Sequence, residues 1–234
     1  MSTSTAMSTV PTTKANKAVK VKQAAKVKRS RTTMECFTWY PDNYKFAFHN
    51  RLKITELEKL QADEEKQAVF VYGILKLPSA VRAYLGKHDS MEIARRMQPA
   101  KAIGYRLYER VAYGEPYMAY TGNNSDVVEG MLVFALDWED IEAIFGPDHE
   151  GGNMDSCFVE VETVIVEDGP GLADGWVEVS RTFSVPALVW LGSTEGMRWK
   201  GLPVWAVDTF LRSELYDQFR RPGELESEET ITLY

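Results

Sequence analysis

Two short stretches of the chain carry residue types from which a site could be built. The first is Tyr72-Gly73-Ile74-Leu75, which follows the apolar run Ala68-Val-Phe-Val-Tyr72. A glycine at that point lets other groups approach the backbone, because it has no Cβ. The second is the polar loop Gly146-Pro-Asp-His-Glu-Gly-Gly-Asn153, with the carboxylates of Asp148 and Glu150 on either side of His149. The common catalytic signatures are missing. Gly73, Gly86 and Gly104 form neither a phosphate loop nor a dinucleotide fingerprint, and there is no Gly-x-Ser-x-Gly or His-Glu-x-x-His. Nucleotide hydrolysis and zinc proteolysis lose their best support. Cys36 and Cys157, with His49, His88 and His149, are too few for a disulfide framework and would nearly all be consumed by one structural zinc. Metal-free chemistry in a reducing compartment is the expectation.

The elements that must position these stretches are read from periodicity. Ala68 to Tyr72 predicts a buried strand, and further strands are predicted over 101–111, 116–121, 127–136, 158–166 and 185–191, all rich in β-branched or aromatic residues and separated by turn formers. Leu52, Ile54, Leu57 and Leu60, interleaved with Lys and Glu, predict an amphipathic helix from 52 to about 66. Asp137 can cap a helix over 138–145, where Ile141, Ile144 and Phe145 share a face. Pro203 suits the first turn of a last helix to about 219, with Val207, Phe210, Leu211 and Leu215 as its apolar stripe. This irregular order does not alternate as a doubly wound sheet would, and an α+β fold, either a mixed barrel or a curled sheet with helices on its outside, fits better.

Of the 234 residues, 44% are apolar, enough to bury a core, yet no apolar run reaches the ~18 residues of a membrane span. The net charge of -7 is uneven. Residues 1–34 hold six Lys and two Arg and no acid, leaving 19 basic against 34 acidic residues, a charge of -15, for the rest. Such an acidic body is unsuited to a phosphate backbone, so any nucleic-acid contact falls to the arm. Its composition predicts disorder. A solvated tail, a nuclear-import or polyanion-binding patch around Lys26 to Arg31, and a transit peptide are the open readings. The domain organisation follows: a basic arm over 1–34, an extension with a short helix over 35–66, a folded domain over 67–219 and a loose acidic tail over 220–234. The absence of a signal-peptide pattern points to the cytoplasm, or to the nucleus if the arm is an import signal.

Val69-Phe-Val-Tyr-Gly-Ile-Leu75 resembles the Phe-Val-Tyr-Gly-Thr/Ser-Leu opening of the gamma-glutamylcyclotransferase-like, or avirulence-induced-gene-like, proteins. Further pieces follow in the same order. Ala102-Ile-Gly-Tyr-Arg-Leu-Tyr108 resembles the family's second strand, Glu115-Pro-Tyr-Met-Ala119 its Tyr-Pro-Ala element, and Val127-Val-Glu-Gly-Met-Leu132 its Val-x-Gly-x-Leu strand. Asp140-Ile-Glu-Ala-Ile144 precedes an acidic Glu-Gly pair, Ala187-Leu-Val-Trp190 follows, and 205–219 matches the final helix. The resemblance spans about residues 67 to 219. It implies a small mixed barrel with a cavity beside Tyr72 to Leu75, and cyclisation of a γ-glutamyl amine or peptide to 5-oxoproline without metal or cofactor. It also implies Glu150 as the general acid/base, the backbone amides of Gly73, Ile74 and Leu75 at the substrate, and Tyr72 and Tyr117 as hydrogen-bonding walls. Asp148 takes the base role if the loop is shifted by two residues. Where the family has Tyr-x-Arg after the Glu-Gly pair, this chain has Phe158-Val-Glu160. The alternative is therefore a catalytically silent barrel that binds a metabolite or a protein.

Overall fold

The computed structural model describes residues 40–86, 89–110, 116–146, 152–168, 176–193, 195, 197–199, 207–212 and 216. The expected basic arm, the acidic tail, Asp148, His149 and Glu150 lie outside the described residues.

Five strands close into a barrel in the order β1-β5-β2-β6-β7. β1 (Gln67–Val71) runs antiparallel to β5 (Val127–Leu136), which pairs with β2 (Met97–Ile103). β2 pairs with β6 (Gly152–Asp168), and β6 with β7 (Trp176–Gly192) over their full lengths. The parallel contacts Val69 to Leu188 and Phe70 to Val189 shut the ring. Phe70, Leu132, Phe134, Val159, Val161, Val185, Ala187 and Val189 form the core. On the other face of β1 and β5, Val69, Val71, Met131 and Val133 pack under α3 (Pro78–Leu85), α4 (Ser90–Arg95) and α5 (Trp138–Phe145). Burial on both faces writes the apolar runs 68–71 and 131–136, which is why these two strands are so legible in sequence. In β6 only alternate residues point inward, so buried Cys157, Val159 and Val161 interleave with exposed Phe158 and Glu162.

The expected strand over 101–111 is two strands. Gly104 adopts φ +89°, its N–H donates to the Asp126 carbonyl at 2.7 Å, and its own carbonyl accepts from Thr121 N–H at 2.7 Å. The chain thereby turns out of the barrel into a second sheet, β4-β3-β8, made of β3 (Tyr105–Arg110), β4 (Pro116–Tyr120) and β8 (Met197–Trp199). Its inner face, with Leu107 and Met118, joins the barrel core.

The helix expected from 52 is shorter, α2 (Ile54–Ala62). Leu52 and Lys53 are extended instead: Val164 N–H donates to the Leu52 carbonyl at 3.3 Å, Lys53 bridges to Val164, and Leu52 N–H donates to buried Gln98 Oε1 at 3.1 Å. The expected strands over 158–166 and 185–191 both extend further, because β6 and β7 continue together as a long two-stranded ribbon. Of the last predicted helix, only α6 (Asp208–Leu211) and Tyr216 are helical among the described residues. Val207, Phe210 and Tyr216 pack on Tyr40 and on Tyr44 of α1 (Asp42–His49). Tyr40 hydroxyl donates to Asp208, which joins segments 168 residues apart.

α5 is capped as the sequence predicts. Asp137 Oδ1 accepts from Asp140 N–H at 2.8 Å, and Oδ2 accepts from Lys66 Nζ at 3.1 Å. Asp137→Ala is expected to cost about 1 kcal/mol, the usual worth of an N-cap, read as a lowered urea midpoint at unchanged m-value.

Candidate active site

The site is built where β1 and β7 end together. After Val71 the chain leaves the barrel at Tyr72, whose hydroxyl donates to the Trp190 carbonyl at 2.8 Å and accepts from Met118 N–H at 3.2 Å. One phenol thus ties β1, β7 and β4. Burial pushes its pKa well above the usual phenol value, with Tyr117 adding to the shift, so it remains a neutral donor at any physiological pH. Tyr72→Phe leaves a buried carbonyl and amide short of a partner. The expected loss is about 1–2 kcal/mol of stability, checked by thermal denaturation.

Gly73 follows with φ +63°, a conformation that side chains resist, and a Cβ there would fall 2.9 Å from Pro116 Cγ. The residue type is required twice over, by backbone and by space. Gly73–Lys76 then forms one 3-10 turn, closed by Leu77 N–H donating to the Ile74 carbonyl at 2.9 Å. The first amides of such a turn have no acceptor within it. Ile74 packs toward the Tyr40, Tyr44 and Phe210 cluster and Leu75 toward the helices over β1. Their side chains serve packing, so the turn has its backbone to offer a ligand.

Pro116 and Tyr117 stand beside this turn. A Cβ at Gly192 would overlap the Tyr117 ring, and one at Gly152 would overlap the Trp190 indole. Gly152 and Gly192 are paired across β6 and β7, and Trp190 stacks on Phe145 of α5 at 5.9 Å and 8°. Two facing glycines thus let aromatic rings lie directly on the strand ends. The structure therefore brings Tyr72, Gly73, Ile74, Leu75 and Tyr117 together. Glu150, the residue on which the sequence reading rests most, lies outside the described residues; Gly152 comes two positions after it in the chain. Phe158 is 69% exposed on the outer face of β6.

Lys76 is a feature that sequence reasoning missed. It is 6% exposed, and burial pushes its amine down to about 8 against the pull of Glu129 and Asp208. A lone lysine after a strand carries no sequence signal of burial. The facing glycines were visible as Gly-Gly at 151–152 and Gly192, but their pairing is not local. Cys157 is a free, buried thiol pushed up to about 12 by desolvation and by Asp155. Among the described residues no group of three or more His, Cys, Asp or Glu is placed to hold a metal ion, and no helix is long and apolar enough to cross a membrane.

No family model matches the chain, and no curated protein matches it. Two solution structures from Arabidopsis thaliana are similar to it. At5g39720.1 is 11% identical, with 67% of this chain and 86% of that one covered and a TM-score of 0.38. At3g28950.1 is 14% identical, with 68% and 82% covered and a TM-score of 0.41.

Proposed function

We propose that the protein is a gamma-glutamylcyclotransferase-type enzyme that cyclises a γ-glutamyl amine or peptide to 5-oxoproline and releases the amine. The observation that carries this reading is the meeting of the Gly73 turn with Tyr72, Tyr117 and the start of β6, the strand that follows the Glu-Gly pair in sequence. The reaction is intramolecular and asks for little: a bent substrate, a base and a place for developing negative charge.

The substrate's α-amine, with an ordinary pKa near ~8, attacks its own γ-carbonyl. Glu150 accepts the proton released as the new N–C bond forms, while the amides of Gly73, Ile74 and Leu75 stabilise the oxyanion. The same carboxyl then hands its proton to the departing nitrogen as the old C–N bond breaks. Atoms and charge balance without an added reactant. Tyr72 fixes the walls through its bonds to Trp190 and Met118, and Tyr117, packed on Gly192, supplies a further wall in this reading. Cytoplasm or nucleus is the compartment in this reading, consistent with the free thiol of Cys157.

The test is a screen of the purified full chain against γ-glutamyl dipeptides, γ-glutamyl amines and glutathione, scored by 5-oxoproline release. Release from one class establishes the reaction. Release from none, together with saturable binding of the same compounds, makes the barrel a binding module.

A further inference from the structure

One face of the small sheet carries an aligned row of aromatic side chains that starts at the candidate site. Tyr117 on β4 is directly opposite Tyr108 on β3, and Tyr108 is directly opposite Trp199 on β8. Directly opposed residues share a face, and Leu107 and Met118 face the barrel from the other side. Neighbouring strands lie about 5 Å apart, so the three residues span roughly 10 Å. Tyr117 lies on Gly192 at one end of the row, where the strand ends meet. Trp199, at the other end, is 55% exposed.

Arg106 belongs to the same face. Its guanidinium stands 4.6 Å from the centre of the Trp199 ring, and Tyr108 is close enough to act on its charge. Its charge is already answered, since Nε meets Asp126 Oδ1 at 2.8 Å. The arginine therefore holds the indole in place by a cation–π contact, and the row offers flat apolar surface rather than a charged anchor.

We propose that the row Tyr117-Tyr108-Trp199 is the subsite for the departing amine, and that the substrates are γ-glutamyl conjugates whose amine bears an aromatic ring. The inference rests on the cyclotransferase reading. With the γ-glutamyl group at the Gly73 turn, the amine side of the scissile bond extends onto Tyr117, whose ring is packed on Gly192. A flat ring then stacks along the row.

The experiment compares γ-glutamyl-phenylalanine with γ-glutamyl-alanine on the purified full chain, and separately titrates phenylalanine amide into it by calorimetry. Wild type is expected to favour the phenylalanine conjugate about tenfold or more in kcat/KM, chiefly through KM. Trp199→Ala is expected to bring that ratio below about threefold and to weaken phenylalanine amide binding about tenfold, whereas Trp199→Phe, which keeps a flat ring, retains most of both. Equal kcat/KM for the two conjugates, or a ratio untouched in Trp199→Ala, overturns the subsite. If neither conjugate yields 5-oxoproline, the cyclotransferase reading fails and the titration decides the row by itself. Saturable binding lost in Trp199→Ala supports it, and no binding overturns it.

Discussion

Glu150→Gln is expected to lower 5-oxoproline release by roughly 100- to 10,000-fold while leaving the barrel folded, the range over which a positioned general base contributes. Glutamine keeps the size of the side chain and most of its hydrogen-bonding shape. It cannot take a proton from the attacking amine or return one to the leaving nitrogen, so both halves of the reaction lose the same group. The loss is expected in kcat more than in KM, because in the proposed mechanism substrate holding falls to the Gly73 turn and the aromatic walls. Asp148→Asn is the companion variant. If it abolishes release while Glu150→Gln is fully active, the base moves by two residues and the mechanism keeps its form. If both variants are as active as wild type, neither carboxylate is the base and the proposed mechanism fails.

The second large effect concerns stability and pH. Burial lowers the Lys76 amine from 10.5 to about 8 in the folded state. Between those values the unfolded chain holds a proton that the folded chain has released, so the unfolded state binds more protons and stability rises with pH. From about pH 8 to about pH 10 this one group is expected to add about 2 kcal/mol to the unfolding free energy. Below that window the penalty for burying the ammonium is present in full. Other groups act in the opposite sense: folding raises the Cys157 thiol from 9.0, and Tyr44 and Tyr105 from 10.0, to about 12, so their contributions fall from about pH 9 upward as the unfolded groups ionise first. Lys76→Met keeps the length of the chain and removes the charge. Urea unfolding of this variant is expected to show greater stability at neutral pH, with an advantage over wild type that shrinks by about 2 kcal/mol between about pH 8 and about pH 10, since the contributions of Cys157 and the tyrosines are common to both proteins. A difference between the two proteins that stays constant over this window would assign the effect to other groups.

The lysine also bears on the site, because it closes the same turn whose first amides are proposed to hold the oxyanion. Its environment is assembled from distant segments. Glu129 lies on β5 and Asp208 on α6, and Asp208 is joined to Tyr40 just ahead of α1. Segments far apart in the chain thus act on the charge of Lys76.

The amino-acid sequence by itself determined the elements whose burial is written locally. β1 and the 131–136 part of β5 are apolar on both faces, so they appear as continuous runs, and α5 announces itself by its Asp137 cap and its Ile141, Ile144 and Phe145 face. The glycine after Tyr72 was equally legible, since a strand that ends in Gly is a backbone signal. Tertiary structure alone decided the rest. The break at Gly104 depends on its bonds to Asp126 and Thr121, and the true start of α2 on the pairing of Lys53 with Val164. Lys76 is a surface residue type driven inside by the packing around its turn. The facing glycines and the row from Tyr117 to Trp199 exist only through strand register, which pairs residues far apart in the chain and leaves no period along it. Local sequence encodes which side of an element is buried, while a site made by the meeting of strand ends is encoded only in how those strands pair.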